Sequence, residues 1–145
     1  RLATNTPNTT EEAQYSTSFP LAIALAKGSI SQFDLDDEQL NDKETIRLSQ
    51  ITKMSEDQKA NAVFPETRMA QVKIVLMSGQ VCVSEWETPK WDYDDPPTEE
   101  ELVDKYKSIC YPILGKERSE KILECINNLQ DKPINHLKRR LVTKY

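Results

Sequence analysis

Residues 70–88, AQVKIVLMSGQVCVSEWET, decide the fold. Val72, Ile74 and Leu76 alternate with Lys73, Val75 and Met77, the chain turns at Ser78-Gly79-Gln80, and Val81 and Val83 then alternate with Cys82 and Ser84. A period of two on either side of a glycine turn predicts an antiparallel β-hairpin. Because Val75 and Met77 add apolar groups to the second face, both faces are expected to be partly covered, as in a sheet with helices against it. Two strands alone are marginal. A short strand near 51–54 is therefore expected to join them, and a further one is expected upstream of Arg1, without which the sheet keeps an unpaired edge.

Helices flank the hairpin on both sides. Thr9 followed by Glu12 is a capping-box pattern. It predicts a helix from there to Lys27, with Gly28 as a left-handed terminator. Ala13, Phe19, Leu21, Ala22, Ile23, Ala24, Leu25 and Ala26 leave its second half almost no polar face, so burial on nearly all sides is expected. Pro20 lacks an N–H and predicts a kink or break near 16–19. Asn41 with Glu44 is a second cap pattern, opening a short amphipathic helix through Leu40, Ile46, Leu48 and Ile51. After the proline-rich loop PKWDYDDPPTEE, Thr98 with Glu101 caps a helix bearing Leu102, Val103, Tyr106, Ile109, Cys110 and Ile113, which Gly115 stops. Another helix runs from Lys116 to Leu129, and a last short one follows Pro133. Helices around a small antiparallel sheet make the class α+β.

Composition narrows the partners. A chain of 145 residues supports one core, or one core with a helical appendage. The net charge of −5, from 24 acidic and 19 basic side chains, gives no positive field for a phosphate backbone, so nucleic acid is excluded as a partner. The longest mainly apolar run, Phe19 to Ala26, is far below the roughly 20 residues that cross a bilayer, so no membrane partner is expected. Cys82, Cys110 and Cys125 lie at wide spacings in apolar-periodic segments and read as reduced core residues of a cytoplasmic protein.

Few residues suit catalysis. The single histidine, His136, stands in the basic stretch NHLKRRL and reads as a charged-surface residue. Three glycines exclude the common phosphate-cradling loops, and no histidine or cysteine pair has metal-ligand spacing. Asp34, Asp36, Asp37 and Glu38 lack the glycine and terminal glutamate of a calcium loop and read as a solvated turn. Trp86, Trp91 and Tyr93, interleaved with acids, suit either packing at the sheet edge or an interface. Gln14, Tyr15 and Ser16 fall where a polar segment meets the apolar helix. Tyr15 is a candidate for moving a proton, and Gln14 or Ser16 for binding a carboxylate, beside the simpler role of capping and packing.

Three stretches, in order along nearly the whole chain, resemble the MmgE/PrpD family, which includes 2-methylcitrate dehydratases, cis-aconitate decarboxylases and iminodisuccinate epimerases. PNTTEEAQYS resembles its proline, Thr/Ser, Glu-Ala, Ser pattern before an alanine-rich helix. FPETRMAQVKIVLMSGQV is similar to its hairpin, and TPKWDYDDPPTEEELVDKYKSI to its P-K-G loop followed by a capped E-E-L helix. Tyr15 stands where decarboxylase-like members carry a histidine, Thr6 where a basic residue often precedes the proline, and Trp91 where the loop has glycine.

The resemblance implies the C-terminal part of such an enzyme. A lid-like α+β domain is expected over 1–111, and over 112–145 helices that return to a large N-terminal helical domain. It implies a cofactor-independent reaction on a small polycarboxylate, 2-methylcitrate dehydration foremost, with Gln14, Tyr15 and Ser16 as the lid-side wall, a homodimeric enzyme, and no activity for these 145 residues alone. The alternative from the residues is an autonomous protein–protein interaction module using the hairpin edge and the tryptophan loop.

Overall fold

The computed structural model describes residues 6–131 and 134–142. The chain is α+β, with seven helices and one two-stranded antiparallel sheet among the described residues. Its contacts cluster into two compact units, 1–88 and 89–145.

The first unit opens with α1 (Thr10–Tyr15), capped by the Thr9 hydroxyl, which accepts from Glu12 N at 3.1 Å. The expected break is present: α1 ends at Ser16, whose backbone is extended (ψ 143°), and α2 (Ser18–Lys27) begins two residues later. Pro20 thereby sits in the first turn of α2, where its missing N–H is one that no helical carbonyl would have accepted. Gly28 ends α2 at φ 81°, its N–H on the carbonyl of Ala24.

Burial of α2 is one-sided, contrary to the expectation of an all-round buried helix. Ser18, Phe19, Ala22 and Ile23 are buried, whereas Leu25 is 42% exposed. The helix is alanine-rich because it lies close to a neighbour: Ser18 and Ala22 on α2, and Thr45 and Ser49 on α3 (Lys43–Ile51), are small residues four apart and fully buried. Small side chains at that spacing form a flat strip on which another helix packs closely. Phe19, Ile23, Ala13 and Leu40 form the apolar core beside it, with Leu35 and Ile46 at its margin. The cap of α3 is Asp42, not Asn41. Its carboxylate accepts from Thr45 N at 2.8 Å, the stronger charge-assisted form of the same bond, while the Asn41 amide turns to the carbonyl of Asp37.

The third strand near 51–54 is absent. Ile51 completes α3, and Thr52 ends it by donating its N–H to the carbonyls of Leu48 and Ser49, so 52–54 has no ladder partner. The helix pattern through Ile46 and Leu48 overrode the strand propensity of isoleucine and threonine. After α4 (Gln58–Val63), β1 (Lys73–Val75) and β2 (Val81–Val83) pair antiparallel with Ile74 opposite Cys82. The turn closes through Leu76 and Gln80. A further pairing, Ala70 with Glu87, lies beyond one extra residue on the second strand, where the Ser84 hydroxyl accepts from Val72 N.

Two expectations about the hairpin are corrected. Its faces are not both covered: Val72 and Ile74 are half-buried, but Val75, Val81 and Val83 are more than half exposed and Met77 projects fully. Cys82 is likewise exposed, and Cys110 and Cys125 are only partly buried, so none is a core cysteine. An alternating pattern shows which side chains share a face, and says nothing of what lies on it.

The second unit contains α5 (Glu99–Leu114), α6 (Lys116–Asn127) and α7 (Asn135–Val142). Thr98 and Glu101 form the expected reciprocal capping box. Gly115, φ 77°, is at once the end of α5 and the start of α6. Across this joint Tyr106 Oη donates to the carbonyl of Ser119 at 2.9 Å, Tyr111 Oη donates to the Glu120 carboxylate, and Ile122 is buried. Position 111/112 thus falls inside α5. The side chain of His136 lies outside the described residues.

Candidate functional site: the junction of the first two helices

The sequence singled out Gln14, Tyr15 and Ser16, and the fold separates them by role. Gln14 and Tyr15 occupy the last turn of α1 and face outward, Tyr15 with 64% of its surface exposed. Ser16 is buried. Its Oγ accepts from the N–H of Phe19 at 3.0 Å, supplying the first turn of α2 with an acceptor, and lies 3.3 Å from Ser18 Oγ. Ser49 Oγ, from α3, donates to Ser18 Oγ at 3.0 Å.

A chain of buried hydroxyls therefore fixes the α1–α2 corner from beneath, and holds Tyr15 and Gln14 on its outer side. Ser18 and Ser49 were not found from the sequence. The available signal was the four-residue spacing of small residues, Ser18 with Ala22 and Thr45 with Ser49.

The opposite end of α2 is held by Lys27. Its ammonium donates to Asp34 Oδ1 at 2.8 Å and Gln39 Oε1 at 2.9 Å, tying the end of α2 to the turns at Gln32–Leu35 and Gln39–Asn41. The hydrogen bond from Lys27, then that from the Ser31 hydroxyl, holds the Asp34 carboxyl down at about 2. Asp42 is also lowered, chiefly by the N–H of Thr45. Asp34 is thus a clamp rather than a cation ligand, and among the described residues no three His, Cys, Asp or Glu side chains come together as a metal site.

A phenol and a primary amide on a rigid helix end can hydrogen-bond a carboxylate or an oxyanion. Among the described residues, neither α1 nor the turn at Ser16–Ser18 carries a histidine or lysine to act as base. The corner can form a wall of a site whose base comes from elsewhere.

The second functional candidate, the aromatic set, is split between the two units. Trp86 is half-buried and lies under Lys59, whose Nζ is 5.0 Å from the ring centroid. Trp91 has φ 63°, the one positive value outside glycine among the described residues, and its ring lies 4.8 Å from Lys105 Nζ. A left-handed backbone at a non-glycine residue costs roughly 1–2 kcal/mol. The cation held against its ring offsets part of this. Tyr93 is 91% exposed.

No helix among the described residues is long and apolar enough to cross a membrane. No curated protein matches the sequence. The family model described as the MmgE/PrpD C-terminal domain matches residues 2–131, through both helical corners, the hairpin, the proline-rich loop and the capped α5. With the motifs in order and nine-tenths of its length matched, the chain belongs to the MmgE/PrpD family, within that family's C-terminal domain.

Proposed function

We propose that this chain is the lid portion of a cofactor-independent lyase that acts on a small polycarboxylate, with dehydration of a 2-methylcitrate-like substrate as the reaction. The observation that carries this reading is the family match over residues 2–131. In the reaction a base of the N-terminal helical domain removes a proton next to a carboxylate, and a hydroxide leaves as water. The lid closes over the substrate and keeps bulk solvent from the carbanion-like intermediate. Gln14 and Tyr15 form its inner wall and hydrogen-bond a substrate carboxylate, with Ser16 fixing their backbone from within the core. The enzyme is a cytoplasmic homodimer, and the chain alone has no activity because the base belongs to the N-terminal helical domain.

The test is turnover of 2-methylcitrate and cis-aconitate by the full protein and by these 145 residues alone. The full protein is expected to release water from 2-methylcitrate, and the isolated chain to do nothing. Tyr15→Phe in the full protein is expected to lower kcat about 100-fold if the phenol moves a proton, and Gln14→Ala to raise KM at similar kcat. Turnover by the isolated chain, or unchanged kinetics in both variants, overturns the assignment of the lid wall.

A second reading, an autonomous interaction module, is favoured by one observation: Val75, Met77, Val81 and Val83 leave the hairpin with an apolar exposed face. It predicts no turnover by the full protein either, and partner binding that Val81→Lys abolishes.

A further inference from the structure

Tyr15 stands at the end of a helix too short to hold itself. α1 has six residues, and isolated helices below about 12–15 residues are marginal in water. The bond that closes its last turn, from the N–H of Ser16 to the carbonyl of Ala13, is long at 3.3 Å. The position of Tyr15 is therefore set from outside α1, by Ala13 in the core and by Ser16 just beyond the phenol. From Ser16 the support leads to α3. Its Oγ lies 3.3 Å from Ser18 Oγ, which accepts from Ser49 Oγ at 3.0 Å, and all three residues are buried. The neighbouring Gln50 donates through Nε2 to Thr6 Oγ1 at 3.4 Å. Two consecutive residues of α3 thus hold the chain before α1 and after it.

We propose that Ser49 is a positioning residue for the phenol of Tyr15, acting through Ser18 and Ser16 without touching substrate. The proposal rests on the lid reading above and adds to it a residue of another helix. Helix packing alone does not ask for a hydroxyl at this place. Ala22 serves the same close contact from α2 with no polar side-chain atom, and alanine at 49 would fill nearly the same space without the cost of desolvating a hydroxyl. What the Ser49 hydroxyl supplies is direction. A hydrogen bond holds only over a narrow range of distance and angle, whereas apolar contact is non-directional, so a row of buried hydroxyls fixes the Ser16 backbone more closely than packing does. A reacting group gains from that precision, since a misplacement of about 1 Å costs on the order of 100-fold in rate. Because the row lies beneath the corner, Tyr15 is held from within while most of its own surface stays open to substrate.

The experiment is a double-mutant cycle in the full natural protein, with kcat and KM for 2-methylcitrate measured for the parent, Ser49→Ala, Tyr15→Phe and the double variant. Ser49→Ala is expected to lower kcat about 10-fold while KM changes far less. On the Tyr15→Phe background the same change is expected to lower kcat by no more than about 2-fold, because no phenolic proton is left to place. A merely structural role for Ser49 lowers both backgrounds equally. An unchanged kcat in Ser49→Ala, or equal falls in both backgrounds, overturns the proposal and leaves the lid reading standing. No turnover by the parent, or an inert Tyr15→Phe, overturns the lid reading and the proposal together. Should Ser49→Ala misfold by circular dichroism, Ser18→Ala carries the same cycle, and misfolding of both assigns the hydroxyls to the core alone and overturns the proposal.

Discussion

The α2–α3 pair and the β1–β2 hairpin lie in the same unit and are held by different means. The helices are held by contact: Phe19, Ile23, Ser18, Ala22, Thr45 and Ser49 have almost no surface left. The hairpin is held by its ladder and its turn, and its side chains, Val75, Met77, Val81 and Val83, are largely in solvent. A regular backbone pattern and a packed core are thus separate achievements of one sequence. Stability should follow the second.

That contrast predicts a ranking. Phe19→Ala, which empties the centre of the helical core, is expected to cost about 3–5 kcal/mol in urea denaturation. A loss below about 1 kcal/mol breaks the comparison at its strongest point. Ser49→Leu adds volume where α2 and α3 approach, and is expected to cost about 1–3 kcal/mol despite being a more apolar residue. If it stabilises, the buried hydroxyls do not mark a close approach.

Asp34→Asn sharpens the electrostatic side. The Asp34 carboxyl is held at about 2 against an ordinary 3.8, so its contribution is fully present above about pH 4 and is lost as pH falls through about 2. The pair with Lys27 is partly solvated, so the expected cost at neutral pH is about 1 kcal/mol. The parent and the variant should converge in acid, and a difference that survives at about pH 1, below the folded-state value, assigns the effect to something other than the carboxylate charge. Met77→Ser, at the exposed turn, is expected to change stability by no more than about 0.5 kcal/mol. A larger loss reveals a cover on the hairpin.

How much of this was legible in the sequence depended on whether the determinant was local. The hairpin, the Thr98–Glu101 box, the break before Pro20 and the glycine stops at Gly28 and Gly115 were all readable, because each is decided by residues within four or five of one another. The cover on a strand is decided by residues far along the chain, so the burial of Val75 and Cys82 was misjudged. The extra strand failed for a similar reason, since a four-residue reading at 51–54 cannot see that Ile51 already belongs to a helix face. At the candidate site, Tyr15 and Gln14 were found from their place at a polar-to-apolar boundary. Ser18 and Ser49, 31 residues apart, become neighbours only once α2 and α3 have packed.

The single-residue joint at Gly115 bears on how the chain tolerates changes of length. With no loop between α5 and α6 to take up the change, a residue inserted in α6 ahead of Ser119 turns the rest of that helix by about 100°. Ile122 then swings out to solvent, while Tyr106 and Tyr111 lose Ser119 and Glu120. Insertions and deletions are instead absorbed by the non-helical stretches at 52–57 and 89–97, where no paired helix faces have to stay in phase.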